Sequence, residues 1–260
     1  MAPDTLSLQG KVAIITGSGK ETGIGAGIAE ALVRNGASVT INYVSDSTAP
    51  RAANVVKKIT ASGGKATAVQ ADISSPDGAT KLVNETLKSF NVNKVDIIVN
   101  NAGGGEGGPI MKATQAGLER TFGIIVFGGI FLIQAAVPHM PRGGRIINIG
   151  SVASKMGIGH IAAYSAAKAA MDSFTYSTAH ELGRGYGITI NTVSPGPVKT
   201  DGLPPDQMQA FIDGMAPLTR AEERPGTVED IADAVLLLAS EKSRWITGQH
   251  ISVSGGITGG

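Results

Sequence analysis

The 260-residue sequence contains no cysteine, only 4% aromatic residues and no excess of charge of either sign. The absence of cysteine excludes a disulfide scaffold, a cysteine nucleophile and a thiolate metal site. The 22 basic and 21 acidic residues give a net charge of +1 and form no long runs. This balance argues against a nucleic-acid or anionic-membrane surface and favours a small-molecule partner.

The chain also lacks the sequence features of targeting and metal-binding segments. Its first ten residues, MAPDTLSLQG, have neither the basic start nor the apolar core of a signal peptide. No apolar stretch reaches the roughly 18 residues that suggest a membrane span. The four histidines show no metal-ligand spacing, so we expect a soluble, metal-free protein, and the lack of cysteine is compatible with the cytoplasm.

Seven short apolar, β-branched runs alternate with longer segments of helical period. The runs are KVAIIT, ASVTINY, KATAVQ, VDIIVN, RIINIG, GITINTVS and HISVS. This alternation predicts an α/β fold with a doubly wound, seven-stranded parallel sheet and helices on both faces, in three layers. No linker divides residues 1–260, so we expect one domain. A Pro- and Gly-rich stretch at about 200–226 is typical of a lid over a pocket.

A glycine-rich segment, TGSGKETGIG, lies between the first predicted strand and the first predicted helix. A turn at this place lets backbone N–H groups approach a pyrophosphate at the positive end of the helix dipole. The spacing is unusual, because Gly17 and Gly19 lack the third glycine of G-x-G-x-x-G. Gly19, Gly23 and Gly25 instead satisfy G-x-x-x-G-x-G. A purely structural turn stays an alternative, and either Gly17 or Gly19 could make the first turn.

Four further motifs follow in order: NNAG at 100–103, YSAAK at 164–168, INTVSPGPVKT at 190–200 and ITGQHISVSGG near the C-terminus. Together they resemble the short-chain dehydrogenase/reductase family, in particular its fungal hydroxynaphthalene-reductase and 3-oxoacyl-reductase branch, over about residues 8–256. The resemblance implies a Rossmann-type fold that binds a nicotinamide dinucleotide, with a two-residue bulge in the family's T-G-x-x-x-G-x-G loop. The cofactor-binding residues it implies are Gly17, Ser18, Lys20, Gly23, Ile24, Tyr43, Ser45, Asp72, Ile73, Asn100, Ala102, Gly103, Tyr164, Lys168, Gly196, Val198 and Thr200.

The end of the second predicted strand indicates which dinucleotide is bound. NAD-dependent relatives carry an acidic residue there, whereas this chain has Tyr43, so nothing repels a 2′-phosphate. Lys20 and Ser45 could supply a cation and a hydroxyl to that phosphate. We therefore expect NADP(H), with NAD as the alternative. Asp46 is interpreted as a solvated turn residue, and Lys20 could equally be an exposed loop lysine.

Tyr164 and Lys168 are four residues apart on a predicted helix, so they project from one face. An ammonium group there favours the phenolate and eases transfer of the phenol proton near neutral pH. The resemblance implies that Tyr164 is the proton donor, that Lys168 also binds the nicotinamide ribose, and that Ser151 orients the substrate oxygen. Many relatives carry a relay Asn five residues before a Phe, where this chain has Val126 before Phe131.

The sequence leaves three functions open. The first is an NADPH-dependent reductase of a carbonyl or imine of a bulky apolar metabolite, in fungal secondary metabolism. The second is a repurposed cyclase or isomerase that keeps NADP(H) bound, which the valine at 126 would suit. The third, a silent nucleotide-sensing subunit, has no chemical need for Ser151, Tyr164 and Lys168. The resemblance also implies a homo-oligomer, a dimer or tetramer, formed through the fourth and fifth helices.

Two loop segments are expected to shape the substrate pocket. Glu106 follows the cofactor wall, and His160 lies between Ser151 and the tyrosine, although both suit solvated loop positions equally well. In the predicted lid, Met208, Phe211 and Met215 have helical spacing and could present an apolar face to a substrate or to the protein's own core.

Overall fold

The computed structural model describes residues 5–105, 107–202 and 204–259. The strands are β1 (Val12–Ile15), β2 (Ser38–Tyr43), β3 (Lys65–Gln70), β4 (Ile97–Asn100), β5 (Arg145–Ile149), β6 (Thr189–Pro195) and β7 (His250–Val253). All are parallel and form one sheet in the order β3-β2-β1-β4-β5-β6-β7. The predicted fold class is confirmed, and the order reverses between β1 and β4, where such sheets form a ligand crevice.

Helices cover both faces of this sheet. They are α1 (Ile24–Arg34), α2 (Ala49–Ala61), α3 (Pro76–Phe90), α4 (Gln115–Phe122), α5 (Gly128–Ala136), α6 (Ala153–Met156), α7 (Ala162–Glu181), α8 (Pro205–Met215) and α9 (Val228–Ala239). One apolar core joins the sheet to α1, α2 and α9, and the other joins it to α3, α5 and α7. The protein therefore has the three layers that the alternating pattern predicts.

The central strands are buried on both faces, which explains why their sequences show little alternation of apolar and polar residues. In β1, Ile15 points into the core under α1, while Ile14 points into the core under α3. In β4, Val99 likewise points into the core under α1, and Ile98 into the core under α3. Strands of this kind need apolar side chains at successive positions.

Local capping determines where the helices begin and end. The segment KLVNETLKSF at 81–90 has a helical period, but α3, which contains it, begins earlier, at Pro76, where Ser75 accepts a hydrogen bond from the Gly78 N–H. Proline suits this first helical position, since its missing N–H would have no partner there. Just after α1, Gly36 adopts a φ of 98°, a conformation that glycine commonly supplies at the end of a helix.

The run Gln115–His139 combines α4, a π-helical turn at Gly123–Phe127 and α5, and is apolar and long enough to cross a membrane by composition alone. The expectation that no apolar stretch reaches that length is therefore corrected for this run. Its most apolar window has a mean hydropathy of 2.0, and 44% of that window is buried. The run packs against α3 and α7. This placement is that of a core helix in the sheet's covering layer.

We expect Thr227→Ala to destabilise the fold by about 1 kcal/mol, because it removes the cap of α9. Thr227 accepts from the Asp230 N–H while the Asp230 carboxylate accepts from the Thr227 N–H. Urea unfolding measures the change. Thr80→Ala is the matched control, since Thr80 is an exposed residue inside α3. Equal stabilities of the two variants would contradict the capping role.

Candidate active site

The crevice at the carboxyl ends of β1, β4, β5 and β6 collects the residues that the motifs single out. The glycine loop leaves β1, the NNAG segment leaves β4, and Ser151 follows β5. Tyr164 and Lys168 lie on α7, which packs against β6. The topology therefore brings together motifs that are separated by up to 150 residues in sequence.

The first turn of the glycine loop is made by Gly17. Its φ is 60°, and a Cβ atom there would lie 2.8 Å from the Cα of Ala102. Its N–H donates to Asn42 Oδ1 at 3.2 Å. Gly19 has a different role, because a Cβ on it would lie 2.9 Å from the Cβ of Tyr43. Both glycines are needed, which settles the register that the sequence left open.

The surplus residues of the loop form a turn of their own. The Gly23 N–H donates to the Lys20 carbonyl at 3.0 Å, and α1 begins one residue later. Within the turn, Glu21 Oε2 accepts from Arg51 Nε at 2.6 Å. This hydrogen bond lowers the pKa of Glu21 to about 2. The expansion is therefore an ordered bulge fixed to α2.

Arg51 also pairs with Asp201, at the start of the predicted lid. Burial raises the pKa of Asp201, but hydrogen bonds from Arg51 and Thr22 outweigh it and leave that pKa below its ordinary value. One arginine thus links the glycine loop, α2 and the lid segment. Sequence reasoning missed this cluster, because its members are 30 and 150 residues apart and form no local motif.

Thr16 and Asn101 fasten the glycine loop to the NNAG segment. Thr16 Oγ1 accepts from the N–H groups of Asn101 and Ala102 at 3.0 and 2.9 Å. Asn101 Nδ2 donates to the carbonyls of Thr16 and Gly17 at 2.8 and 3.1 Å. These bonds hold the floor of the crevice at fixed width. Neither Thr16 nor Asn101 was among the residues singled out from the sequence.

At the end of β2 the structure places Tyr43 beside Gly19, so the side chain that replaces the acidic residue borders the glycine loop. Ser45 is exposed and bonds Ser47 and Thr48 through its hydroxyl. Asp46 accepts from Gln70 at 2.8 Å inside a short 3₁₀ turn, consistent with its interpretation as a turn residue. Lys20 is exposed and close enough to Asp201 to lower its pKa.

The remaining implied cofactor residues line the same edge of the sheet. Asp72 is exposed and accepts from Ser74, while Ile73 is buried against α5. A Cβ on Gly103 would lie 3.4 Å from Lys168 Nζ, so the NNAG backbone runs beside the catalytic helix. Beyond β6, Val198 is buried and bridges to Gly226.

Lys168 and Tyr164 form the centre of the site. Lys168 is only 3% exposed, and its Nζ donates to the Ile149 carbonyl at 2.6 Å. The same nitrogen lies 5.6 Å from the centre of the Tyr164 ring. Tyr164 is half-buried. A buried ammonium group is thus held at the tyrosine, as the four-residue spacing predicts.

Ser151 lies two residues beyond the carbonyl that holds Lys168. Its Oγ accepts from the Ala153 N–H at 3.1 Å, and its carbonyl accepts from Ser154 Oγ at 2.9 Å. The Val152 N–H donates to Pro195, which ties this turn to β6. In the bond with Ala153, Ser151 Oγ is the acceptor, so the hydroxyl hydrogen of Ser151 stays available to a substrate oxygen.

The π-helical turn supplies an apolar wall to the catalytic helix. Val126 is half-buried and Ile125 is 4% exposed, and both belong to the small cluster that includes Met171 and borders Tyr164. Neither side chain carries a hydrogen-bonding group. The structure therefore offers no side-chain donor or acceptor at the position where many relatives have a relay asparagine.

A cavity of about 170 Å³ opens between the loop 107–118 and the first turn of α7, at Ala162 and Ala163. The Gly108 N–H donates to the His160 carbonyl at 2.6 Å, which joins the two segments expected to shape the substrate pocket. His160 has a φ of 64°, in the left-handed region. The other candidate, Glu106, lies outside the described residues.

The predicted lid contains α8, and its buried face differs in part from the expected one. Met208 is 6% exposed and Ile212 is 7% exposed, whereas Phe211 is 37% exposed. The buried apolar face of α8 is therefore formed by Met208 and Ile212, which are four residues apart, and Phe211 points away from it. Among the described residues, no group of three or more His, Asp or Glu side chains could hold a metal ion.

Comparisons with known proteins decide the family. The model of the family described as enoyl-(acyl carrier protein) reductase matches residues 17–258. An uncharacterized oxidoreductase of Methylorubrum extorquens is 41% identical over 96% of this chain and 98% of its own length. The chain belongs to the short-chain dehydrogenase/reductase family. The resemblance drawn from the motifs is confirmed, and the protein is an oxidoreductase by family.

Two other members of the family are similar over nearly their whole lengths. The hydroxynaphthalene reductase-like protein Arp2 of Metarhizium acridum is 37% identical over 96% of each chain. The crystal structure of the angucycline C-6 ketoreductase LanV with bound NADP has a TM-score of 0.87 and 31% identity, over 96% of each chain.

We expect Gly25→Ala to weaken dinucleotide binding at least tenfold, because the glycine loop must deform. A Cβ at this position would lie 2.5 Å from Asn101 Nδ2 and 2.9 Å from the Cα of Ser18. Isothermal titration with NADP⁺ and with NAD⁺ measures the loss. Gly183→Ala is the matched control, since a Cβ there meets nothing within 4 Å. Unchanged affinity of the Gly25 variant would contradict the close packing of this loop.

Proposed function

We propose that this protein is an NADPH-dependent reductase that converts a carbonyl or imine of a bulky, largely apolar metabolite to the alcohol or amine. The observation that carries the proposal is the buried Lys168 ammonium group, which lies 5.6 Å from the centre of the Tyr164 ring and bonds the Ile149 carbonyl, two residues before a Ser151 hydroxyl that can still donate. Reduction of a carbonyl needs this combination, because the oxygen must receive a proton as hydride reaches the carbon.

The residues present fit a dinucleotide. Gly17, Gly19 and Gly25 leave a cradle that a Cβ atom would fill, and Gly23 gives the first turn of α1 no side-chain cap. Backbone N–H groups at such a helix start suit a pyrophosphate. The other residues proposed to hold the cofactor are Ser18, Lys20, Ile24, Tyr43, Ser45, Asp72, Ile73, Asn100, Ala102, Gly103, Tyr164, Lys168, Gly196, Val198 and Thr200.

The choice of NADP(H) is supported by the end of β2 and by the relatives. Tyr43 borders the glycine loop without a negative charge, and Lys20 lies on the neighbouring bulge. The ketoreductase LanV was crystallised with NADP. When bound, NADPH supplies the hydride.

The chain's own residues supply the proton and hold the substrate. The Ser151 O–H donates to the carbonyl oxygen, while the Ala153 N–H donates to Ser151 Oγ and holds the hydroxyl in place. Tyr164 gives its phenol proton to the same oxygen. Lys168 stabilises the phenolate left behind, and its bond to the Ile149 carbonyl keeps the ammonium group in place. Each interaction strengthens as charge develops on the oxygen, which is what lowers the barrier.

The lining of the cavity at the start of α7 supports the proposed substrate class. Pro109, Ile110, Leu118 and Ala163 give it a mainly apolar lining. Lys112 is the charged side chain among its lining residues. The hydroxynaphthalene reductase-like relative and the ketoreductase neighbour have names that point to polycyclic compounds of secondary metabolism, a class this lining suits.

A repurposed cyclase or isomerase with NADP(H) bound is the second candidate. The apolar wall formed by Ile125 and Val126 favours it, because a reductase returns protons to its lysine from solvent and this wall offers no relay group. Product formation that survives Tyr164→Phe, or that proceeds without NADPH, would support this candidate over the reductase.

We also propose a homo-oligomer, a dimer or tetramer, with α4 and α5 at the contact. Phe127 lies between these helices and is 49% exposed. Light scattering gives the state directly. A monomer at micromolar concentration would contradict this part of the proposal, and the cytoplasmic location stays a prediction.

Replacing Tyr43 by Asp should shift the preference from NADPH towards NADH by tenfold or more, because a carboxylate repels the 2′-phosphate and accepts from ribose hydroxyls. Gly19 packs against the Cβ of Tyr43, which Asp retains, so the loop should keep its shape. Fluorescence titrations with both cofactors measure the ratio. Tyr43→Asn separates the loss of the ring from the added charge. A ratio that is equal in the Asp and Asn variants would contradict the placement of the phosphate.

Tyr164→Phe should lower turnover by roughly 10²- to 10⁴-fold, because it removes the proton donor. NADPH oxidation is followed by absorbance with quinones, hydroxynaphthalene analogues, 3-oxoacyl esters and imines. Ser151→Ala should reduce the rate with each substrate that the wild type accepts. Tyr176→Phe is the matched control, since Tyr176 lies on the same helix and is 74% exposed. Oxidation of NADPH by none of these compounds with the wild type would sink the reductase proposal.

A further inference from the structure

A second group of polar side chains lies behind the catalytic residues, at Asp172, His250 and Ser194. Asp172 Oδ2 lies 3.5 Å from His250 Nε2, and both side chains are mostly buried, with 14% and 13% exposed. The same imidazole nitrogen is 2.8 Å from Ser194 Oγ. Asp172 Oδ1 and His250 Nδ1 are buried and have no hydrogen-bond partner among the described residues. The proposed mechanism gives none of these groups a role.

This group is attached to the catalytic face of α7. Tyr164, Lys168 and Asp172 follow one another at intervals of four residues, so they share one side of the helix. Gly150, between the carbonyl that holds Lys168 and the catalytic serine, lies against the group. A Cβ on it would be 3.4 Å from Asp172 Oδ1 and would clash with Ser194 Oγ.

The charges that face Asp172 come from three elements. Burial raises the pKa of Asp172, whereas the charges of His250, Lys155 and Lys168 offset part of that rise. These groups lie on β7, on α6 and on α7 itself. The Ile125 and Val126 wall, which packs against Tyr164 and Met171 of the same helix, is apolar and adds no charge. Asp172 and Lys168 are thus two mostly buried side chains of opposite charge, one turn apart on the same face of α7.

We propose that Asp172, held by His250, is the counter-charge of Lys168 and sets the pH at which Tyr164 loses its proton. A carboxylate one turn beyond the lysine opposes part of the positive potential that favours the phenolate. With it, Tyr164 keeps its proton to higher pH and stays a proton donor there. The inference rests on the roles proposed for Tyr164 and Lys168. Asp172 is a positioning residue, since it acts through the lysine.

The test is a titration of Tyr164 in the NADP⁺-bound protein, followed by the ultraviolet absorbance of tyrosinate and corrected with the Tyr164→Phe variant. This readout needs no carbonyl substrate, so it can fail or succeed independently of the proposed reductase activity. Asp172→Asn should move the midpoint of Tyr164 down by roughly half to one pH unit. Asp172→Glu keeps the charge and should stay close to the wild type.

Further variants make the result specific. Glu181→Gln removes an exposed acid at the far end of α7 and should leave the midpoint in place. His250→Gln should produce a smaller downward shift alone and none in the Asp172→Asn background, because it acts through the carboxylate. If Asp172→Asn does not fold, Asp172→Ser gives the same comparison in a smaller side chain. A midpoint that is unchanged, or raised, in the neutral variants overturns the proposal.

Discussion

A chain of four buried polar side chains holds α7, which carries Tyr164 and Lys168, on the sheet. Asn100 donates to Asn148 at 2.8 Å, Asn148 donates to Thr175 at 2.8 Å, and Thr175 bonds Thr192 at 2.9 Å. The chain crosses β4, β5, α7 and β6, and every member is at most 7% exposed. Loss of one partner would leave a buried donor or acceptor unpaired, at a cost of about 1–3 kcal/mol. The bonds from the sheet to Thr175 therefore fix how α7 is rotated about its axis. They fix in turn the direction in which Tyr164 and Lys168 point.

The crevice above this helix depends on close approach between backbones. Gly17 touches the Ala102 backbone, Gly19 touches Tyr43, and Thr16 bonds the amide groups that follow β4. The two extra loop residues leave these contacts intact, because they form a separate turn that Arg51 ties to α2 and to the lid segment. The expanded glycine loop can therefore keep the backbone contacts of a loop that is two residues shorter. Its extra turn is also tied to the predicted lid through Arg51.

Much of this could be predicted from the sequence, for physical reasons that differ between regions. Successive apolar residues in Ile14–Ile15 and Ile97–Val99 suit strands that are buried on both faces. The alternation of such strands with helical segments therefore predicted the fold class. The spacing of Tyr164 and Lys168 on a helix fixed their proximity. The Arg51 cluster and the contact between Asp172 and His250 join segments far apart in the chain, so no local pattern announced them. Helical spacing alone did not say which stripe of α8 meets the core, which buries Met208 and leaves Phe211 37% exposed.

The central claim is that hydride reaches a carbonyl or imine carbon held at Ser151 and Tyr164. The most direct measurement uses NADPH carrying deuterium on the transferred position of its nicotinamide ring, an accepted ketone from the panel, and mass spectrometry of the product. The account predicts one deuterium on the new carbinol carbon, delivered to a single face. A product that forms without deuterium would contradict it and would show that the fold has been turned to a reaction without hydride transfer.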